Sequence, residues 1–236
     1  MSWTLQTDHP IAYESPDHLH PYGTMQDNSR NWDFCRKLFA LRGEQISLLD
    51  IGCAGGGLVK DMIDHGNLAV GLEGSDYSKR HKRAEWATIP DSLFTCDVTK
   101  PFTLRKDGDP HPFAFDVVTA WEFFEHIHRD DLAAVCDNVR RHLVPSGLLI
   151  CSIANFPSPH EGVDLHLTQE DAPWWLETFG RLGFVRRSDF EAHFGNDWVR
   201  HGSFNFVLEN SGRPAAKPRA LSALGKLRAR LESLRR

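Results

Sequence analysis

Residues 46–57, Ile-Ser-Leu-Leu-Asp-Ile-Gly-Cys-Ala-Gly-Gly-Gly, restrict the possible folds more than any other stretch of the chain. A short apolar run bounded by glycines is a buried strand, and Gly57 to His65 then reads as a helix. Small residues in the turn between them let the backbone approach a ligand closely. The helix N-terminus beyond offers free N–H groups to a carboxylate. Many nucleotide-binding folds share such a turn, so the rest of the chain has to choose among them.

Beyond this turn, strands and helices alternate. Leu68–Leu72, Ser92–Cys96, Phe115–Thr119 and the Leu-Leu-Ile-Cys-Ser-Ile-Ala run at 148–154 read as strands. Ser78–Trp86 and Asp130–His142 read as helices between them, and Trp32, Cys35, Leu38 and Phe39 recur at helical spacing ahead of the first strand. A helix over Ala172–Leu182 is succeeded by two alternating runs, Val185–Phe190 and Ser203–Leu208, expected as an antiparallel pair at the sheet edge. The pattern predicts an α/β fold: a seven-stranded, mostly parallel sheet with helices on both faces and a terminal antiparallel strand pair. Three parts are expected. Residues 1–45 form an N-terminal extension and lid helix, 46–211 the main domain, and 212–236 a basic amphipathic tail. The first thirty residues are too polar for a core element and read either as a lid or as a solvated arm.

Composition narrows the setting. No apolar run approaches the roughly 18–20 residues that span a bilayer, and the N-terminus does not read as a signal peptide. Five scattered cysteines without a CxxC pair read as buried reduced thiols, giving a cytoplasmic expectation. A formal net charge of −5 argues against nucleic acid as a partner. The tail carries Leu221, Leu224, Leu227, Leu231 and Leu234 at helical spacing among basic residues. Such a helix lies peripherally on an anionic membrane, or docks on its own domain.

Three acids end successive strands: Asp50, Glu73 before Gly74, and Asp97 before Val98. An acid about twenty residues beyond the first glycines can accept both hydroxyls of a ribose, and Asp97 can accept an adenine amino group. Together, LLDIGCAGGG, GLEGS, CDVT, FDVVTAWEFFEHI and LVPSGLLICSIAN closely resemble the ordered motifs of class I S-adenosylmethionine-dependent methyltransferases, which are Rossmann-like. The resemblance covers about Ser47 to Glu209. It implies S-adenosyl-L-methionine as cofactor, with its methionine part at the turn of Gly52, Cys53, Ala54 and Gly56. It also implies the ribose on Glu73 and Gly74, the adenine between Asp97 and Val98, and Asp50 and Trp121 among the binding residues. Ala54 departs from the pattern, since the family usually has its second glycine there.

After the fourth strand comes Trp121-Glu122-Phe123-Phe124-Glu125-His126. A helical turn from Glu122 would put Glu122, Glu125 and His126 on one face, where with His166 they can hold Mg²⁺ or Mn²⁺. The pattern resembles that of terminal 2′-O-methyltransferases of small RNAs, and of methyltransferases acting on catechol-like quinone precursors. The alternative is metal-free, with Glu125 and His126 catalytic and the imidazole taking a hydroxyl proton. Trp174 and Trp175 can stack on a sugar or pack on the sheet. The expected activity is O-methylation of a saccharide or other small polyhydroxylated acceptor. An RNA terminal 2′-O-methyltransferase and a non-catalytic cofactor-binding scaffold are the alternatives.

Overall fold

A computed structural model describes residues 2–212. In chain order the strands are β1 (Trp3–Thr7), β2 (Ser47–Ile51), β3 (Leu68–Glu73), β4 (Leu93–Thr95), β5 (Phe102–Lys106), β6 (Phe115–Trp121), β7 (Leu143–Ile153), β8 (Pro159–His160), β9 (Val163–Asp164), β10 (Phe184–Arg186) and β11 (Phe204–Asn210). The helices are α1 (Pro16–Leu19), α2 (Tyr22–Gln26), α3 (Trp32–Arg42), α4 (Gly57–Asp64), α5 (Tyr77–Arg80), α6 (Leu132–Arg141), α7 (Ala172–Arg181) and α8 (Ser188–Phe194). Seven strands form one sheet in the order β10-β11-β7-β6-β2-β3-β4. It is parallel from β7 to β4, with β11 antiparallel to β7 and β10 antiparallel to β11. The expected fold class is what the chain adopts.

The central strands are mostly apolar because both of their faces are covered. Leu48 and Leu49, adjacent in β2, point into different cores. Leu49 joins Val118, Phe124 and Phe179 on one face, and Leu48 joins Phe34, Met62 and Phe194 on the other. Side-chain caps fix where the helices begin: Asn31 accepts from the Phe34 N–H at 3.1 Å, and Asp171 from the Trp174 N–H at 2.9 Å. No helix among the described residues is long and apolar enough to cross a membrane.

Three expectations need correction. Residues 78–86 do not form one helix: α5 ends at Arg80, and Lys82 and Ala84 both take φ of 47°. The chain bends because Arg83 turns inward to the Ser78 hydroxyl and the Asp27 carbonyl, and Trp86 buries its ring with its N–H on Ala54 O at 2.8 Å. The run at 185–190 is a strand only through Arg186, because Phe190 and Phe194, four residues apart, turn together onto the core as α8. Phe194 stacks on Phe34 at 5.0 Å. Of the two uses open to the tryptophan pair, Trp175 takes packing: it is fully buried against Phe179 and offers no stacking surface to a sugar. Trp174 lies edge-on to Trp175 with Arg129 over its ring.

The third correction concerns the polar N-terminus. Thr4, Gln6 and their neighbours conceal a core strand, β1, which pairs antiparallel with β5. Trp3 is 8% exposed, edge-on to Phe113 at 5.0 Å and stacked on Phe115 at 5.6 Å. The expected amphipathic tail lies outside the described residues. If Trp3 anchors this strand, Trp3→Ala should lower the unfolding free energy by about 3 kcal/mol. Urea denaturation monitored by far-UV circular dichroism would measure it, and a change under about 0.5 kcal/mol would count Trp3 as a surface residue.

Candidate active site

Strand β2 delivers the chain into a turn whose conformation side chains normally resist. Gly52 has φ of 72°, and a Cβ there would meet the Phe123 ring at 3.0 Å. Ala54 is left-handed too, with φ of 45°. For a residue with a Cβ this costs about 1–2 kcal/mol, and hydrogen bonds on both sides offset it. Its N–H donates to Glu73 at 2.7 Å, and its carbonyl accepts from the Trp86 indole. The departure from glycine at Ala54 therefore leaves the turn intact.

Glu73, at the end of β3, is buried and accepts three hydrogen bonds. They come from the Ala54 N–H, the Ser75 N–H at 3.2 Å and the Thr24 hydroxyl at 3.2 Å. Burial pushes its carboxyl up from the usual range, against the pull of these donors.

A cavity of about 910 Å³ opens above the C-terminal ends of β2, β3 and β6. Gly52, Ala54, Glu73, Gly74, Asp97, Val98 and Trp121 all contribute to its wall. Asp50, Cys53 and Gly56 do not: they lie behind it. Asp50 is buried within the sheet and accepts from the Thr119 hydroxyl at 2.7 Å. The Cys53 thiol is buried against Gly71, and burial raises its pKa well above the ordinary thiol value. Gly56 faces Leu93. The small residues, the buried acid at the β3 end and the cavity volume together fit a nucleoside-sized ligand.

The loop after β6 forms the other half of the cavity. Glu122 takes φ of 48°, so the expected helical turn starts two residues later, at Phe124–His126. This turns the Glu122 carboxylate to Arg200, which donates from Nε at 3.0 Å and Nη2 at 2.6 Å, and Glu122 drops out of the expected ligand set. Glu125, His126 and His166 do converge, with ligating atoms within 4.8 Å of one another. Glu125 is fully buried; its Oε1 accepts from the Ala154 N–H at 2.7 Å and its Oε2 has no hydrogen-bond partner. Burial pushes this carboxyl up to about 7.

His126 Nδ1 lies 3.0 Å from Asp17 Oδ2 and 3.1 Å from the Leu165 carbonyl. Burial disfavours its charged form, but the Asp17 hydrogen bond and the Asp17 and Glu125 charges prevail, and its pKa rises to about 9. His166, its ring edge-on to His126 at 4.7 Å, directs Nδ1 to the Phe156 carbonyl at 2.5 Å. Burial and the neighbouring His126 lower its pKa.

Sequence reasoning missed Asp17, Thr24 and Arg200, none of which lies near a recognisable motif. One signal was available for the first: Ser15-Pro16-Asp17 has the cap-and-proline form of a helix start, and Ser15 does cap α1. Residues between His9 and Asp27 roof the cavity.

The family described as "Methyltransferase domain" matches residues 25–196. The ubiquinone biosynthesis O-methyltransferase of Neisseria meningitidis serogroup C is 28% identical over 149 residues, 61% of this chain and 59% of that protein. The match thus spans less than two thirds of that relative's length. Among solved structures, the sugar N-methyltransferase from Streptoalloteichus sp. has TM-score 0.53 at 18% identity, covering 81% of this chain and 91% of that one. The amino pentose methyltransferase from Micromonospora echinaspora has TM-score 0.52 at 16% identity, covering 81% and 95%. At such identities these structures establish the shared fold.

Asp50 yields a test of stability. Burial, opposed by the Thr119 hydrogen bond, raises its pKa from 3.8 to about 7. Between these values the unfolded chain binds fewer protons at this site than the folded protein, so stability falls as pH rises. Asp50→Asn removes that loss. The thermal midpoint of the variant, relative to the parent, should climb from pH 4 to 7 and then level off. A pH-independent difference would mean that Asp50 ionises at its ordinary pH.

Proposed function

The chain belongs to the S-adenosylmethionine-dependent methyltransferase family, and from that premise we propose that it methylates a hydroxyl of a saccharide or other small polyhydroxylated acceptor. The observation carrying this reading is the convergence of Glu125, His126 and His166, the two imidazoles lying on the wall of the same cavity as Glu73. The O-methyltransferase relative is in keeping with an oxygen acceptor.

Bound S-adenosylmethionine supplies an electrophilic methyl on a sulfonium centre. Glu73 and Gly74 would hold its ribose, Asp97 and Val98 its adenine, and the turn from Gly52 to Ala54 its amino-acid end. In-line displacement depends chiefly on positioning, so the roof over the cavity and the rigid turn do much of the catalytic task. The acceptor must also lose a proton as its C–O bond forms and the S–C bond breaks. His126, its Nδ1–H given to Asp17 and Leu165, offers Nε2 as the proton's destination once the imidazole is neutral. Turnover should therefore rise with pH between 7 and about 9.

A second reading rests on the unpartnered Oε2 of Glu125. Two imidazoles whose Nδ1 atoms are committed to carbonyls, beside a free carboxylate oxygen, fit a divalent ion such as Mg²⁺ or Mn²⁺. When bound, such an ion would acidify a chelated hydroxyl.

Calorimetric titration with S-adenosylhomocysteine, with and without Mn²⁺, tests both readings. Saturable binding is expected, and Mn²⁺-dependent affinity would favour the second. His126→Ala and Glu125→Gln should each lower turnover by about 100-fold or more while leaving S-adenosylhomocysteine affinity within about threefold. Undiminished turnover in both variants would remove the catalytic assignment, and a folded protein that fails to bind would remove the cofactor assignment.

A further inference from the structure

His126 sits on a single 3-10 turn, where its own backbone does little to fix the ring. Its orientation is set from outside, by two acceptors on Nδ1. One is the Leu165 carbonyl; the other is the carboxylate of Asp17, from the roof of the cavity. We propose that Asp17 is the positioning residue of His126, brought to it by the N-terminal segment. This rests on the reading of His126 as the group that meets the acceptor hydroxyl.

The two acceptors are not equivalent. A carbonyl at 3.1 Å favours a proton on Nδ1, but a carboxylate at 3.0 Å adds a charge-assisted bond of roughly twice the strength. With both in place the ring has one orientation and, when neutral, one tautomer, which leaves the Nε2 lone pair on the acceptor side. The other ionisable groups converging on the ring are Glu125 and His166, the latter in a T-shaped contact with it. Neither bonds Nδ1. The same geometry serves a base or a metal ligand, because in both the carboxylate fixes which nitrogen is presented.

Asp17 is itself held in place. Its N–H donates to the Ser15 hydroxyl that caps α1, and Pro16 pre-sets the first turn. Helix α2 begins after two more residues and is fastened to the cofactor half of the cavity. The Thr24 hydroxyl donates to Glu73, the Thr24 carbonyl accepts from the Ser78 hydroxyl, and Arg83 reaches the Asp27 carbonyl. Six residues separate Asp17 from Thr24, so a single short segment touches both the ribose carboxylate and the imidazole. The ring is therefore oriented when that segment is seated over Glu73, which makes a competent acceptor half conditional on a closed cofactor half.

Nitrogen-15-edited proton spectra of the full chain with S-adenosylhomocysteine bound give a direct readout. A hydrogen-bonded Nδ1 proton of His126 should appear at low field in the parent and be absent from His126→Gln, which assigns it. Asp17→Asn should move it upfield or broaden it away, and Asp17→Glu should restore part of the shift. S-adenosylhomocysteine affinity should stay within about threefold in both Asp17 variants, and with 3,4-dihydroxybenzoate as acceptor probe Asp17→Asn should lower kcat about 10- to 100-fold without changing KM for S-adenosylmethionine. An unchanged Nδ1 signal in Asp17→Asn would show that Leu165 suffices, and would overturn the proposal. So would loss of S-adenosylhomocysteine binding, which would assign Asp17 to seating the segment. Full turnover by His126→Gln would instead remove the underlying reading of His126 and leave the spectroscopic result standing.

Discussion

The buried carboxylate of Glu73 is the constraint on which the rest of the site depends. A carboxylate taken out of water must be met by donors, and here they come from three separate parts of the chain: Ala54, Ser75 and Thr24. To donate from its N–H, Ala54 adopts a conformation that alanine disfavours. That in turn presents its carbonyl to Trp86, and the 78–87 segment is bent to bring the indole there. The glycine-rich turn, the kinked segment behind it and the roof over the cavity are thus arranged around one acid. Each is locally unfavourable or irregular, and each is stabilised by a bond that traces back to Glu73.

This dependence explains which features are legible in the sequence. Strands β2, β3, β6 and β7 are buried on both faces, so their apolar runs identify them without reference to any distant residue. The same holds for α6, where Leu132, Val135, Cys136 and Val139 fall on one face. The features that mislead are those where a distant partner overrides local preference. The 78–86 stretch has helical composition, but Arg83 and Trp86 are claimed by Asp27 and Ala54. Glu122 has the spacing of a helical ligand, but Arg200, 78 residues away, holds its carboxylate elsewhere. Trp3 is one aromatic among polar neighbours, and its stacking partners, Phe113 and Phe115, lie over a hundred residues on.

For the candidate site, sequence pattern identifies the floor residue by residue, but offers the N-terminal segment only as a lid or an arm, without the residues that make its contacts. Gly52, Ala54, Glu73, Asp97, Val98 and Trp121 are readable because strand ends in a parallel sheet gather at one edge. Their placement is a consequence of topology. Asp17, Thr24 and Asp27 come from a polar extension without periodicity, and polarity there does not mean solvation. The segment is hydrophilic because its side chains bond to Glu73, His126 and Arg200 across a cavity, and apolar residues in those places would leave buried acceptors and donors unsatisfied.

The charge on this wall also has a consequence for the order of events. Asp17, Asp27, Glu73, Asp97 and Glu122 line the cavity, and Lys100, Arg200 and His126, whose pKa is raised to about 9, are cationic counterparts. Arg200 is paired with Glu122 and Asp27, and His126 with Asp17, and the acids outnumber the cations, so the field inside favours a positive ligand. The sulfonium of S-adenosylmethionine is such a ligand, and its demethylated product is not. A carboxylate-weighted wall therefore adds an electrostatic contribution to holding the methyl donor that the product does not receive. The acids that complicate the folding of this region thus contribute more to holding the cationic donor than to holding the product, which has lost the positive charge.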